Sequence, residues 1–145
     1  MLSRARHLAW CVWMGLFACV PEDAREDERV RVELGVFYGG QVQQLRRVPW
    51  PEDGQRPTFG FRLSFAEPLQ EEQVVRWEVD MPSRTTPGQR VERIAEARLE
   101  PGRARLDQAV EVPPGARLGL WNVRVIVGDR LVLDRAVTLF DPGGS

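Results

Sequence analysis

Residue types that carry much enzyme chemistry are absent or scarce in this sequence. It contains no lysine, and its one histidine and two cysteines, His7, Cys11 and Cys19, precede residue 20. If the chain is cleaved before Cys19, it keeps no histidine and one terminal cysteine. That excludes a disulfide framework, a His/Cys zinc site, a Ser-His-Asp triad and a cysteine nucleophile. The lack of lysine excludes Schiff-base chemistry and a P-loop.

The long apolar run Leu8–Val20 is too short to cross a membrane. Such a helix reaches about 20 Å, whereas a bilayer core of about 30 Å needs about 20 apolar residues. Arg4 and Arg6 precede the run, and Pro21 follows it. A basic flank before a short apolar segment is typical of a secretory signal peptide, which we predict over residues 1–18.

The end of this segment resembles a bacterial lipobox. Leu16-Phe17-Ala18-Cys19 has an aliphatic residue three positions before a cysteine and a small residue directly before it. In such motifs the cysteine receives a diacylglyceryl group and becomes the new N-terminus, so Cys19 is the predicted lipidation site and a membrane is the predicted partner. Phe17 departs from the usual small or β-branched residue. The alternative is that Cys19 is an ordinary apolar residue of the signal peptide.

The predicted location is the periplasmic face of a bacterial membrane, with a soluble periplasmic or secreted protein as the alternative. Residues 19–29 are highly charged and lack apolar periodicity, which predicts an acidic, flexible tether. Acidic and basic residues balance over the rest of the chain. Because no basic face for phosphates follows from this balance, the sequence predicts no nucleic-acid partner.

Apolar residues alternate with polar ones from Val30 onward. The pattern is clearest in Val30–Tyr38, Thr58–Phe65 and Val74–Met81, and glycine- or proline-rich stretches separate such segments. In the first segment Tyr38 belongs to the predicted inner face. Many short alternating strands without long amphipathic helices predict a β-sandwich or a barrel.

Residues 91–99 fit two structures. Their apolar side chains form one strand face if Arg93 is tolerated there, and they also fit helical spacing. The surrounding strands favour a strand.

Charge sets the expected register of the last hairpin. A three-residue loop, Gly128-Asp129-Arg130, places Arg124 opposite Asp134, and such a pair stabilises a sheet by about 0.2–1 kcal/mol. A two-residue loop places Arg124 opposite Leu133 instead. We therefore expect the three-residue loop.

Short motifs along the strand-rich region follow a known pattern. They are Phe59-Gly60-Phe61, Pro114-Gly115, Trp121 and Val137-Thr138-Leu139. They resemble an uncharacterised family of bacterial secreted or periplasmic proteins with a single domain. The resemblance implies an all-β, immunoglobulin-like β-sandwich of about seven antiparallel strands, over residues 30–141. It implies no activity, because the family has none established.

Two positions depart from the family pattern. Five residues separate Pro114-Gly115 from Trp121, where the family keeps them close, and Val137 replaces a final aromatic residue. Residues 142–145 are expected to form a disordered tail.

Pro49, Trp50 and Pro51 form the candidate binding loop. A tryptophan between two prolines sits on a stiff, extended segment, and a rigid exposed aromatic is a good binding anchor. The alternative is that Trp50 covers one open end of the sandwich, because large aromatics are usually mostly buried. Trp77 and Trp121 lie on apolar strand faces and are expected in the core.

Acidic residues are numerous, and the nearest to clusters are Glu71-Glu72, Glu52-Asp53 and Asp80. We expect them on turns and polar strand faces, where solvated charge is usual. The sequence therefore predicts no catalytic, metal or cofactor site. It predicts a non-catalytic binding or structural module of the cell envelope, whose partner is an envelope protein or a glycan. The alternatives are a small carboxylate- or serine-dependent hydrolase and a glycan-binding module that uses Trp50. The oligomeric state is left open.

Overall fold

The computed structural model of the protein describes residues 29–52 and 54–144. Over these residues it has β-strands and no helix, so no described helix is long and apolar enough to cross a membrane. The strands are β1 (Val30–Tyr38), β2 (Gln41–Gln43), β3 (Arg47–Pro49), β4 (Thr58–Phe65), β5 (Gln73–Pro82), β6 (Arg90–Leu99), β7 (Arg105–Ala109), β8 (Gly119–Val127) and β9 (Arg130–Phe140). The predicted signal peptide, Cys19 and nearly all of the predicted tether lie outside the described residues.

The strands form two sheets that face each other, which confirms the predicted sandwich. One sheet has the order β2-β1-β4-β7 and the other the order β3-β9-β8-β5-β6. Neighbouring strands of the described chain are antiparallel except for β3, which runs parallel to β9. Residues 44–46 carry the chain from an edge of the first sheet to an edge of the second. The edges of the five-stranded sheet are therefore β3 and β6.

Inward side chains of both sheets form one hydrophobic core. Its largest fully buried members are Trp121, Phe59, Phe61, Leu34, Leu63 and Leu139. The Trp121 indole N–H donates to the Arg117 carbonyl at 3.2 Å, which satisfies its polar atom in apolar surroundings. Trp77 is buried and meets Phe61 edge-on, with ring centroids 5.7 Å apart. The prediction that Trp77 and Trp121 belong to the core is confirmed.

The prediction for Tyr38 is wrong, since its side chain is 81% exposed. Pairing between β1 and β4 ends at Phe37 opposite Thr58, so Tyr38 lies beyond the sandwich, next to the turn that leads into β2. Phe37 packs on the outer face instead. A side chain added at Gly60 would meet the Phe37 ring at 2.9 Å, so glycine leaves the space that the ring uses.

The structure confirms that residues 91–99 belong to a strand, and it corrects the last hairpin. Arg124 does face Asp134, but Val127 pairs with Arg130, so the turn has two residues. Gly128 has a φ of 64°, the left-handed conformation that such tight turns require. A bulge in β9 then absorbs one extra residue and restores the register that brings the two charges together.

Candidate functional site

The predicted binding loop lies at the β3 edge of the five-stranded sheet. In the parallel pairing with β9, Val48 faces Leu139 and Pro49 faces Phe140. Val48 is fully buried and anchors the short strand to the core. Pro49 lacks an N–H group, and it is tolerated because an edge strand needs fewer donors than a central one.

Trp50 continues the edge directly after β3. Its main-chain N–H donates to the Phe140 carbonyl at 2.7 Å, which holds the segment against the end of β9. The side chain is half-buried and packs against the hydrophobic core. The ring therefore covers part of the sandwich edge while the rest of it reaches the surface.

Two arginines stack on the aromatic rings at this edge. The Arg47 guanidinium carbon lies 4.6 Å from the centroid of the Phe140 ring, and the Arg56 guanidinium carbon lies 5.9 Å from that of Trp50. Both distances are within the range of a cation–π interaction. We call these four residues the Trp50 cluster.

Arg56 also fixes the loop beyond Trp50. Its Nε donates to the Pro51 carbonyl at 3.2 Å and its Nη2 donates to the Glu52 carbonyl at 3.3 Å. These bonds close a loop whose residue 53 lies outside the described chain. The aromatic surface and its cations are therefore held in place before any partner binds.

A cleft of about 650 Å³ lies on the same edge of the sheet, between β9 and the residues that precede β3. It is lined by Gln44, Leu45, Arg46, Asp134, Arg135 and Ala136. Arg135 donates to the Gln44 amide oxygen at 3.1 Å, and Asp134 accepts from Asn122 at 2.9 Å. Cations outnumber carboxylates along this edge, which gives it a positive character that the balanced composition does not reveal.

Several arginines elsewhere on the five-stranded sheet are paired with carboxylates. Arg124 contacts both Glu78, at 3.0 Å, and Glu92, at 2.7 Å. Arg90 pairs with Asp80 at 2.8 Å. Within the described part of the chain, by contrast, Arg47 and Arg56 form no ion pair with a carboxylate.

The candidate carboxylates of the sequence are not brought together. Glu72 pairs with Arg98 at 3.4 Å, Asp80 pairs with Arg90, and Glu71 is exposed in the loop before β5. Asp53 lies outside the described residues. Among residues 29–52 and 54–144, no group of three or more metal-ligating side chains is found.

Asp107 is the carboxylate with the most perturbed environment. It lies on β7 and accepts hydrogen bonds from Arg105 and from Arg62, the latter at 2.7 and 3.1 Å. Hydrogen bonds from Arg105 and then from Arg62 hold the pKa of Asp107 well below its usual range. A carboxyl group kept ionised by two arginines is a structural ion pair, because it has no proton to exchange near neutral pH.

Sequence reasoning found Trp50 but missed its partners. Phe140 is ninety positions away, and only the parallel pairing of β3 with β9 brings it beside Trp50. Arg47 and Arg56 flank the Pro49-Trp50-Pro51 segment. That spacing was the one available signal, since an arginine near an exposed aromatic often stacks on it.

Comparison with solved structures shows that the fold is immunoglobulin-like. The chain is similar to an immunoglobulin-like protein from Pseudomonas aeruginosa, with 25% sequence identity and a TM-score of 0.53, over 77% of this chain and 96% of that one. It is also similar to the alkylpurine DNA glycosylase AlkC from Pseudomonas fluorescens, with 19% identity and a TM-score of 0.41, over 77% of this chain and 30% of that one. That second likeness is too weak to bear on activity.

No protein-family model matches the sequence, and no curated protein matches it. The likeness to the Pseudomonas aeruginosa protein supports the immunoglobulin-like part of the resemblance noted in the sequence. The secreted or periplasmic character of that family stays a prediction for this chain. Sandwiches of this architecture are common in non-enzymatic binding and structural modules.

Proposed function

We propose that the protein is a non-catalytic module of the cell envelope that binds an acidic segment of a partner protein through the Trp50 cluster. The observation that carries this proposal is the pair of exposed arginines, Arg47 and Arg56, stacked on half-buried aromatic rings without a carboxylate partner in the described chain. Tryptophan and arginine are the residue types that most often dominate binding energy. An arginine without an ion pair presents donors that suit a carboxylate.

Preorganisation adds to the case for this edge. Trp50 is tied to Phe140 by its main chain, and Arg56 is tied to the loop by two hydrogen bonds. A surface that is already ordered loses little conformational entropy when a partner binds. A cleft beside the start of β3 lies on the same edge of the sheet.

A glycan is the weaker candidate partner. Sugar rings stack on an open aromatic face, whereas the Trp50 ring is half-buried and already carries the Arg56 guanidinium. A hydrolase is weaker still, because the carboxylates that the sequence singled out are dispersed or paired with arginine.

Anchoring at the membrane completes the proposal. A lipid on Cys19, followed by ten or so residues of tether, places the sandwich within about 20 Å of the membrane surface. Intact-mass analysis of membrane-extracted protein is expected to show two or more acyl chains on Cys19, since one chain gives only marginal binding. An unmodified mature N-terminus at any other residue contradicts the anchor and leaves the binding surface to be tested separately.

The binding surface is tested by crosslinking in the native envelope. The double substitution Arg47→Ala and Arg56→Ala is expected to reduce capture of the crosslinked partner at least tenfold, and the contact should weaken with added salt. Arg103→Ala with Arg117→Ala changes the net charge equally in two exposed loops and is the matched control. Equal capture by both double variants, with unchanged melting curves, contradicts binding through the Trp50 cluster.

A further inference from the structure

The opposite edge of the five-stranded sheet has a different character. β6 pairs with β5 over ten consecutive residues, from Arg90 opposite Pro82 to Leu99 opposite Gln73, without a bulge. It contains no proline and no bulge, two of the devices that protect an edge strand, and the protection that it does carry is its charged side chains, with Arg93 on the inner face. The other edges in the described chain are short, since β2 and β3 have three residues each and β7 has five.

The main-chain groups of β6 that face outward can be assigned. Ser83 N–H donates to the Gln89 carbonyl at 2.8 Å, so hydrogen bonds to β5 come from the odd-numbered residues. Because successive residues of a strand point their N–H and C=O groups to opposite sides, the even-numbered residues from Arg90 to Arg98 present theirs to the free edge. Their side chains lie on the outer face of the sheet.

We infer that β6 pairs antiparallel with β6 of a second copy of this chain, so that two five-stranded sheets join into one. In a register centred on Ala95, Glu92 faces Arg98 of the second copy and Arg98 faces its Glu92. Ile94 faces Glu96 in the same way. Each of these facing pairs exchanges two main-chain hydrogen bonds.

Charge selects this register over its neighbours. A register centred on Ile94 sets Glu92 opposite Glu96 and Arg90 opposite Arg98 of the second copy. A register centred on Glu96 sets Glu96 opposite Glu96 of the second copy. Like charges directly opposite each other destabilise a pair of strands, so charge favours the register centred on Ala95 over both of its neighbours.

The inner face of β6 also fits a second copy. Val91 is 43% exposed, and Arg93 and Ala95 are exposed as well, because the opposite sheet does not extend beneath this strand. In the same register Val91 faces Leu99 and Ala95 faces itself, which covers the apolar part of this overhang. The contact uses no residue of the Trp50 cluster.

Cysteine crosslinking of the full chain in membranes tests the register. Ala95→Cys is expected to give a covalent dimer on mild oxidation, because residues facing each other without hydrogen bonds lie about 4.5 Å apart at Cα, within reach of a disulfide. Arg93→Cys and Ala97→Cys should each give no covalent dimer alone and should crosslink when the two are mixed, because residue 93 of one copy faces residue 97 of the other. The unchanged chain is the negative control, since its own two cysteines precede residue 20 and lie outside β6.

Charge exchange gives an independent readout in solution. By sedimentation of the extracted full chain, Glu92→Arg and Arg98→Glu should each raise the dimer Kd about tenfold, and their mixture should form a heterodimer as tight as the unchanged pair. Rescue by mixing cannot arise from the loss of the contacts that Glu92 and Arg98 make within one chain. A folded Ala95→Cys protein that stays monomeric, or a mixture without rescue, overturns the inference.

Discussion

At the β3 edge of the five-stranded sheet, three strand residues are anchored to the core by apolar side chains; at the β6 edge, ten residues are held by main-chain pairing with β5 and by surface ion pairs. Val48 and Trp50 join the first edge to the core, and the Trp50 N–H joins it to the Phe140 carbonyl. Most of β6 is exposed on both faces, and its strand partner is β5. A short edge covered by side chains resists strand addition, whereas a long regular edge is a template for it. The two edges are therefore suited to different kinds of contact.

The largest expected effect comes from a substitution in the hydrophobic core that supports both edges. Trp121→Ala deletes a fully buried ring and an indole hydrogen bond, and should lower the free energy of unfolding by about 3–5 kcal/mol. Its neighbour Leu120 is 55% exposed, so Leu120→Ala should change it by about 0.5 kcal/mol or less. Urea denaturation measures both values. Similar midpoints for the two variants contradict the assigned strand faces.

A direct comparison of the edges is expected to give an intermediate effect. Trp50→Ala removes half-buried packing and the ring on which Arg56 stacks, so the free energy of unfolding should fall by about 1–3 kcal/mol. Ile94→Ala on β6 removes a side chain that is 59% exposed and should cost about 0.5 kcal/mol or less. The measurement is made at a protein concentration below the dimer Kd, so that the protein is monomeric. If Ile94→Ala costs as much as Trp50→Ala, the two edges are packed alike and the comparison fails.

The smallest expected effect adds a third edge to the comparison. This is β7 of the four-stranded sheet, where Asp107 forms ion pairs with Arg62 and Arg105. Asp107→Asn weakens its contacts with Arg62 and Arg105, and should cost about 1 kcal/mol at pH 7 after allowance for solvent exposure. The folded-state pKa of Asp107 is lowered, so its stabilisation is full above the unfolded pKa of about 4 and disappears as the pH falls below it. Denaturation of both proteins at pH 7 and pH 2.5 checks this. A difference that persists undiminished in acid points to packing instead of charge.

Much of the fold could be predicted from local pattern. Alternation identified β1, β4 and β5 and placed Trp77 and Trp121 in the core, and the surrounding strands favoured a strand for residues 91–99. Opposite charges also paired Arg124 with Asp134 correctly. The turn that joins their strands was predicted wrongly, because a bulge can add one residue to a strand without a signal in the apolar pattern.

The site was less predictable than the fold. Trp50 was found because two prolines isolate it, but its half-buried state lies between the two interpretations that the sequence allowed. Tyr38 shows the same difficulty at the other sheet: its place in the alternation is right, yet the pairing of β1 with β4 ends at Phe37, before Tyr38. Burial depends on which residues lie across the sandwich, and the sequence of a single strand does not specify them.

The sequence by itself determined the strand faces and the core tryptophans, because the side-chain direction along a strand is a property of each segment alone. Only the tertiary structure decided which strands lie at the edges. The parallel pairing of β3 with β9 creates the Trp50 cluster, and the overhang of β6 leaves a self-complementary edge. Both depend on contacts between residues far apart in the chain, whose free energy comes from burial and pairing across the whole sandwich and not from any local preference.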